Sequence, residues 1–90
     1  MYSGEPVRVT LRMPISAAGQ VYDAFGHYAQ MIPNEDGKTM EVRLRSSLEN
    51  MRFFALQYAS VCEVLSPAEL REQVRQDVLR IAQRYADAAT

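Results

Sequence analysis

The sequence predicts an α+β domain in which helices cover one face of an antiparallel sheet, and three observations support this prediction. Two stretches, 6–13 and 39–46, alternate apolar and polar residues as half-buried strands do. Three others carry apolar residues at helical spacing, and the last of them opens with the capping sequence SPAE. The chain has 90 residues, 48% hydrophobic and 23% charged, a globular composition that suits one small core.

Charge and residue inventory exclude several kinds of protein. The net charge of −1 gives no overall attraction to nucleic acid or to an anionic membrane, so electrostatic binding has to come from local patches. No stretch approaches the roughly 18 consecutive apolar residues of a membrane span, and the N-terminus lacks the features of a secretory signal. Cys62 is the only cysteine and His27 the only histidine. We therefore expect a cytoplasmic protein with no disulfide, metal site or cofactor.

The first two elements are a strand over 6–13 and a helix over 17–25. The inward face of the strand carries Val7, Val9, Leu11 and Met13, and its outward face carries Arg8, Thr10 and Arg12. Pro14 ends the strand, Ser16 is the expected N-cap of the helix, and Gly26 stands where a left-handed C-cap belongs.

A β-hairpin is predicted after this helix. Residues 27–32 form its first strand, 33–38 supply the turn, and 39–46 form its second strand. Within the turn, Asp36-Gly37 is the strongest short hairpin signal in the chain. The inward face of the later strand carries Met40, Val42 and Leu44, and its outward face carries Glu41, Arg43 and Arg45.

The next helix and strand are predicted from a cap and an apolar run. Ser46 and Glu49 have the spacing of a capping box. Five residues then line one helical face: Leu48, Met51, Phe54, Ala55 and Tyr58. After this helix, the apolar run 61–65 predicts a short fourth strand.

The last helix has the best-defined start in the chain. Ser66 is the expected N-cap, Pro67 takes the first helical position, and Glu69 completes the capping box. An apolar stripe then continues for more than four turns through Leu70, Val74, Val78, Ile81 and Tyr85.

The order β-α-β-β-α-β is that of a split βαβ fold, so we predict a ferredoxin-like βαββαβ sandwich with a four-stranded antiparallel sheet and an additional C-terminal helix. The expected domain spans 7–87. Residues 1–6 are expected to be a disordered or artificially added N-terminus, and 88–90 a tail.

Two segments carry a resemblance to a known family. The runs VRLRSSLENMRFFALQYA and VCEVLSPAELREQVRQDVLRIAQRY resemble the C-terminal extension, or WCX domain, of WYL-domain transcriptional regulators. The matching positions are Val61, Glu63, Val64, Leu65, Pro67, Leu70, Arg71, Val74 and Tyr85. The chain departs from the family pattern where Phe53-Phe54 replaces a frequent Trp, and where Tyr58-Ala59 replaces a common Phe-Gly.

The resemblance implies a role in bacterial gene regulation. The full protein would bind DNA through a winged helix and sense an effector through a WYL domain, both of which lie outside this chain. This module would then contribute dimerisation and coupling between domains. Self-association and DNA binding are expected through the full-length protein, with no membrane partner and no enzymatic activity.

The residues themselves point to the outward face of the two alternating strands as a binding surface. If these strands are central neighbours, four arginines share that face: Arg8, Arg12, Arg43 and Arg45. Guanidinium groups on a rigid surface bind phosphates, carboxylates or an acidic partner. The alternative is a solvated face of weak Arg–Glu pairs involving Glu41 and Glu63. Single-stranded nucleic acid also favours aromatic platforms, which neither alternating strand supplies.

A partner interface is the second candidate. Its residues are Phe53, Leu79, Ile81 and Tyr85. Phe53 and Phe54 lie about 100° apart on a helix, so one of them is expected toward a partner. The last helix either associates with another subunit or packs within the chain.

Two other functions stay open as alternatives. The first is a free-standing ferredoxin-like domain that binds a small anion or nucleic acid. The second is a small enzyme, which is disfavoured because no catalytic constellation surrounds His27 or Cys62. His27 is expected to be a cap or a surface residue, and Cys62 a small buried hydrophobe.

Overall fold

The computed structural model describes residues 5–88 and contains one four-stranded antiparallel sheet with the strand order β2-β3-β1-β4. The strands are β1 Val7–Pro14, β2 Gln30–Pro33, β3 Thr39–Ser46 and β4 Glu63–Ser66. The helices are α1 Ala18–Phe25, α2 Leu48–Gln57 and α3 Ala68–Ala88, with 3-10 turns at Ile15–Ala17 and Gly26–Tyr28. This order confirms the predicted ferredoxin-like fold with an added C-terminal helix. Of the predicted tail 88–90, only Ala88 is described. Of the predicted N-terminal segment 1–6, residues 1–4 lie outside the described residues.

The two central strands, β1 and β3, form the longest ladder. They pair over eight positions, from Val7 opposite Ser46 to Pro14 opposite Thr39. The edge strands β2 and β4 are half that length, and the β1–β4 ladder shifts register beside Thr10. The outward surface of the sheet is therefore built mainly from β1 and β3.

The core lies between the sheet and the helices, as the alternating strands predict. Its strand residues are Val9, Leu11, Met13, Met40, Val42, Leu44 and Val64. The helices add Val21, Met51, Phe54, Ala55 and Leu70. Leu70 is fully buried, so α3 contributes to this core through its first turns, where it packs beside α2 and β4. No helix among the described residues has the length and apolar character needed to cross a membrane.

Two of the predicted serine caps are wrong because the serines still belong to strands. Ser46 is the last residue of β3 and pairs with Val7, so its neighbour Ser47 caps α2, with its Oγ accepting from the Asn50 backbone N–H at 3.1 Å. Ser66 likewise ends β4, and α3 begins at Ala68 after a cis Ser66–Pro67 peptide bond.

Three further boundaries differ around short turns. Ser16 lies inside a 3-10 turn, so α1 follows Ala17 without a side-chain cap. Residues 26–28 form a second such turn, which delays β2 until Gln30. Residues 58–61 form a hydrogen-bonded turn after α2, so β4 starts at Glu63.

Gly26 is the C-cap of α1, as predicted, but the predicted left-handed helical conformation is wrong, whereas the predicted turn at Gly37 is present. Gly26 has a φ of +59° and Gly37 a φ of +70°, values that favour glycine, although the ψ of Gly26 is −136°, outside the left-handed helical region. The Asp36 carboxylate accepts from the backbone N–H groups of Lys38 and Thr39 at 2.8 and 2.9 Å. These bonds lower the pKa of Asp36 and hold the hairpin turn.

Candidate functional site

The candidate site is the open face, the sheet surface opposite the helices. Its side chains from β1 and β3 are Arg8, Thr10, Arg12, Glu41, Arg43 and Arg45, each of which alternates with a buried residue. The ladder sets Arg8 opposite Arg45, Thr10 opposite Arg43, and Arg12 opposite Glu41. All four predicted arginines therefore share one surface, but they do not share one environment.

The Arg12 end of the open face is electrically balanced. The Nη1 atom of Arg12 lies 3.7 Å from Glu63 Oε1, and Glu41 lies opposite in the ladder. Glu63 also pairs with Arg71 Nη1 at 3.2 Å, and that same nitrogen donates to the Val64 carbonyl at 2.7 Å. These contacts link β1, β4 and α3, so Arg12 belongs to a network of weak surface ion pairs.

The Arg8 end is not balanced. Arg8 and Arg45 face each other, and within residues 5–88 neither guanidinium has an ion-pair or hydrogen-bond partner. Arg43, in contrast, forms an ion pair with Glu41, whose Oε1 lies 3.2 Å from the Arg43 Nη2. Directly opposed like charges destabilise a sheet. This end of the face therefore has an unfavourable arrangement that a bound anion would relieve.

A shallow depression of about 720 Å³ opens at the Arg8 end. Seven polar side chains line it: Arg8, Thr10, Tyr28, Gln30, Glu41, Arg43 and Arg45. Tyr28 is 89% exposed and comes from the turn before β2, while Gln30 pairs with Arg43 across the β2–β3 ladder. The depression thus combines three guanidinium groups, neutral polar groups, one aromatic ring and one carboxylate, that of Glu41, which pairs with Arg43.

Sequence reasoning missed Tyr28 and Gln30 as members of this surface. The sequence does indicate that Tyr28 and Gln30 lie on the same side, because residues two apart in the predicted strand 27–32 share a face. Gln30 lies opposite Arg43, and Tyr28 precedes it by two residues. An aromatic group therefore borders the open face, although it comes from neither alternating strand.

The predicted partner residues lie on two helices, and those on α3 do not share one helical face. The apolar stripe of α3 divides in two: Leu70 and Val74 pack against the core, whereas every residue from Val78 to Ala86 is exposed. Ile81 and Tyr85 continue the stripe into this exposed half.

Leu79 lies off this stripe, and Phe53 belongs to α2. Leu79 is about 180° around α3 from Leu70, at 100° per residue. Phe53 is 65% exposed on α2, whereas its neighbour Phe54 is buried against Phe25, with ring centroids 4.8 Å apart. The first half of α3 thus packs within the chain, and the second half extends as an exposed apolar stripe.

The junction of α2 and α3 contains an ion pair that the sequence did not reveal. Asp77 is only 6% exposed and binds Arg52 through two hydrogen bonds, Nε to Oδ2 at 2.6 Å and Nη2 to Oδ1 at 2.7 Å. Arg80 pairs with the same carboxylate. The hydrogen bonds from Arg52 lower the pKa of Asp77 despite its burial.

Among residues 5–88, neither Cys62 nor His27 lies in a group of side chains arranged for catalysis. Burial raises the pKa of the Cys62 thiol to about 11, so the thiol is protonated at neutral pH and is a poor nucleophile. His27 is exposed and meets Tyr22 edge-on, with ring centroids 5.5 Å apart. Across the described part of the chain, no group of three or more His, Cys, Asp or Glu side chains is arranged to hold a metal ion.

Comparison with known proteins identifies one family. The family model of the WCX domain matches residues 5–82, which include the whole sheet, the depression and most of α3. Comparison with the curated proteins finds no match.

Proposed function

The chain belongs to the WCX domain family, and from this premise we propose that it is the C-terminal regulatory module of a bacterial WYL-type transcription factor. The observation that carries the proposal is the family match across the whole sheet, including the arginine-bearing open face. In this role the module acts in the cytoplasm and is not an enzyme. It reaches DNA only through the winged helix of the full-length regulator.

The open face is the surface we assign to effector sensing. It lies on the two central strands, which the eight-residue ladder holds in a fixed register. A ligand shifts the equilibrium between two domain arrangements of a regulator only when it binds one arrangement better than the other. An effector that neutralises Arg8 and Arg45 while touching a neighbouring WYL domain would supply that difference.

The exposed half of α3 is the surface we assign to self-association in the full-length protein. Its apolar stripe contains Val78, Ile81 and Tyr85, beyond the part of the helix that packs on the core. This short stripe is small beside the roughly 800 Å² per partner of a stable interface. We therefore expect the 90-residue chain to dimerise weakly or not at all by itself.

The role is tested by two measurements on the 90-residue chain. Light scattering after size exclusion should give a monomer or a weak dimer, and fluorescence anisotropy should show no sequence-specific binding to duplex DNA. The gene upstream of this segment should encode a winged helix and a WYL domain. Tight sequence-specific duplex binding by the chain alone would contradict the proposal.

The helix assignment has its own control. In the full-length regulator, the double variant Ile81→Ser/Tyr85→Ser should weaken self-association, because both residues extend the apolar stripe. Leu79→Ser should not, since Leu79 lies on the opposite side of the helix. Equal loss in both variants would remove the stripe as the contact surface.

A free-standing anion-binding domain is the second candidate, and the unbalanced Arg8 end favours it because the depression there is complete within this chain. A thermal-shift screen of anionic metabolites and oligonucleotides separates the two candidates when combined with the gene context. A ligand that stabilises the chain equally well after Arg43→Ala/Arg45→Ala would exclude the open face as its site.

A further inference from the structure

We infer that the Arg8 end of the open face binds a small phosphomonoester that carries a planar ring, with the phosphate between Arg8 and Arg45 and the ring on Tyr28. The inference rests on the proposed function in one respect, since it takes the open face as the sensing surface. It adds the position of the site on that face and the chemical class of the ligand.

The position follows from which arginines already have partners. Arg12 is paired with Glu63 at 3.7 Å and lies opposite Glu41. Arg8 and Arg45 oppose each other without any carboxylate partner in the part of the chain that the structure describes. Their Cβ atoms are about 4.5–5.5 Å apart, as in any directly opposed pair. One anion between them can therefore accept hydrogen bonds from both guanidiniums.

The charge of the site favours a dianion. A carboxylate carries one negative charge, which leaves one of the two guanidiniums without compensation. A phosphomonoester carries about −1.5 to −2 at pH 7 and presents three terminal oxygens as acceptors. Arginine meets such oxygens with paired N–H donors, so two facing arginines match one phosphate in both charge and geometry.

The extent of the positive charge favours a small ligand over a polymer. Backbone phosphates of a nucleic acid need a basic track along the surface. Here the basic track is short, because Glu41 in the same depression pairs with Arg43, and Glu63 pairs with Arg12 at the other end of the face. The whole chain also carries a net charge of −1.

The expectation that the ligand carries a planar ring comes from Tyr28. It is the most exposed large hydrophobic side chain of the described residues and lines the same depression as Arg8 and Arg45. An aromatic side chain in a binding site offers its face for stacking against a planar group. The depression, at about 720 Å³, falls within the usual size range for small-molecule sites.

The experiment titrates the 90-residue chain by calorimetry with adenosine 5′-monophosphate, ribose 5-phosphate, adenosine and a single-stranded 12-mer that lacks terminal phosphates. The monophosphate should bind best, ribose 5-phosphate more weakly, and adenosine below detection. Affinity for the monophosphate should rise between pH 5.5 and 7.5, because the second phosphate proton is lost near pH 6. Stronger binding of the 12-mer, or equal binding of adenosine, would overturn the inference.

Variants locate the site. Arg45→Ala and Arg8→Ala should each lower affinity for the monophosphate about tenfold or more, as expected for lost hydrogen bonds to a charged group. Arg12→Ala is the matched control and should change affinity less than about twofold. Tyr28→Ala should lower the affinity for adenosine 5′-monophosphate to that for ribose 5-phosphate, and it should leave the affinity for ribose 5-phosphate unchanged. An equal loss in Arg12→Ala and Arg45→Ala would refute the assigned position.

Folding is checked separately, by far-ultraviolet circular dichroism of each variant. Because Arg8 and Arg45 repel each other, neither single substitution should lower the melting temperature. Failure of phosphate binding together with the expected absence of duplex binding would reject this ligand and leave the regulatory role standing. Phosphate binding in a chain that also binds duplex DNA specifically would reject the role and keep the site.

Discussion

Two regions of this protein bring a pair of arginines together, and they differ in whether an anion lies between them. At the α2–α3 junction, Arg52 and Arg80 both pair with the buried carboxylate of Asp77. At the Arg8 end of the open face, Arg8 and Arg45 oppose each other with no such carboxylate among residues 5–88. The first pair of arginines shares a carboxylate that the chain supplies, and the second pair has none among the same residues.

The difference teaches how to separate structural arginines from arginines available to a ligand. A carboxylate held by two guanidiniums fixes the position of α3 against α2, and its removal leaves positive charge at a packed junction. Two guanidiniums without a carboxylate gain nothing from the fold and repel each other. Compensation within the chain therefore indicates that Asp77 and its partners are structural, and its lack is the reason we propose the Arg8 end as a binding site.

The largest effect is expected from breaking the junction. Asp77→Asn removes the charge from a side chain that accepts two short hydrogen bonds from Arg52. We expect the melting temperature to fall by about 5–10 °C, as for the loss of charge-assisted bonds in a domain of this size. Thermal unfolding followed by circular dichroism measures the change.

The matched control for this variant is Glu72→Gln, because Glu72 pairs with Arg75 at 2.7 Å on the exposed surface of α3. It should shift the melting temperature by less than about 2 °C. Equal shifts in the two variants would mean that Asp77 is no more structural than a surface ion pair.

The same junction has a defined pH dependence. Hydrogen bonds from Arg52 lower the pKa of Asp77 below its ordinary value of 3.8. The stabilisation is therefore complete above about pH 4 and is lost as the pH falls through the folded-state pKa. The melting temperatures of the wild-type protein and Asp77→Asn should differ most near neutral pH and converge below about pH 4. A constant difference down to pH 2 would contradict the ion-pair explanation.

Sequence reasoning predicts the sheet well, because burial of one face imposes a period of two on the central strands. The bounds predicted for β3, 39–46, are those of the structure, and the outward side of all four arginines follows from the same alternation. Helix starts are less predictable. Ser46 and Ser66 have the right residue type for caps, but both remain paired in strands, so a competing ladder decides where each helix begins.

The division of the open face could not be predicted from the sequence, because it depends on register and packing. Alternation places Arg8 and Arg45 on one face, but only the ladder sets them directly opposite. The pairing of Asp77 with Arg52 joins residues 25 positions apart and exists only once α3 packs on α2. Local patterns fix the faces of elements, whereas the chemistry of these sites comes from pairs distant in sequence.

A smaller effect should follow from giving the open face its own carboxylate. Arg45→Glu sets an acidic group opposite Arg8, so the Arg8 end comes to resemble the junction. Replacing repulsion with attraction across the strands should raise the melting temperature by about 2–5 °C. The same variant should abolish binding of the phosphomonoester. A lower melting temperature would show that the two arginines are not a destabilising pair.

The smallest effect concerns Arg43, whose guanidinium Nη2 lies 3.2 Å from Glu41 Oε1 and is only partly available to a ligand. Glu41→Gln removes this competing carboxylate without removing side-chain volume, so a third arginine becomes free to attract the phosphate. We expect affinity for adenosine 5′-monophosphate to rise about two- to threefold at low ionic strength, and the gain to fade as added salt screens the exposed charges. Glu63→Gln is the control, because it frees Arg12 at the other end of the face and should leave the affinity within experimental error. If Glu63→Gln strengthened binding as much as Glu41→Gln does, the ligand would be responding to the total charge of the face and not to the unbalanced pair at one end of it.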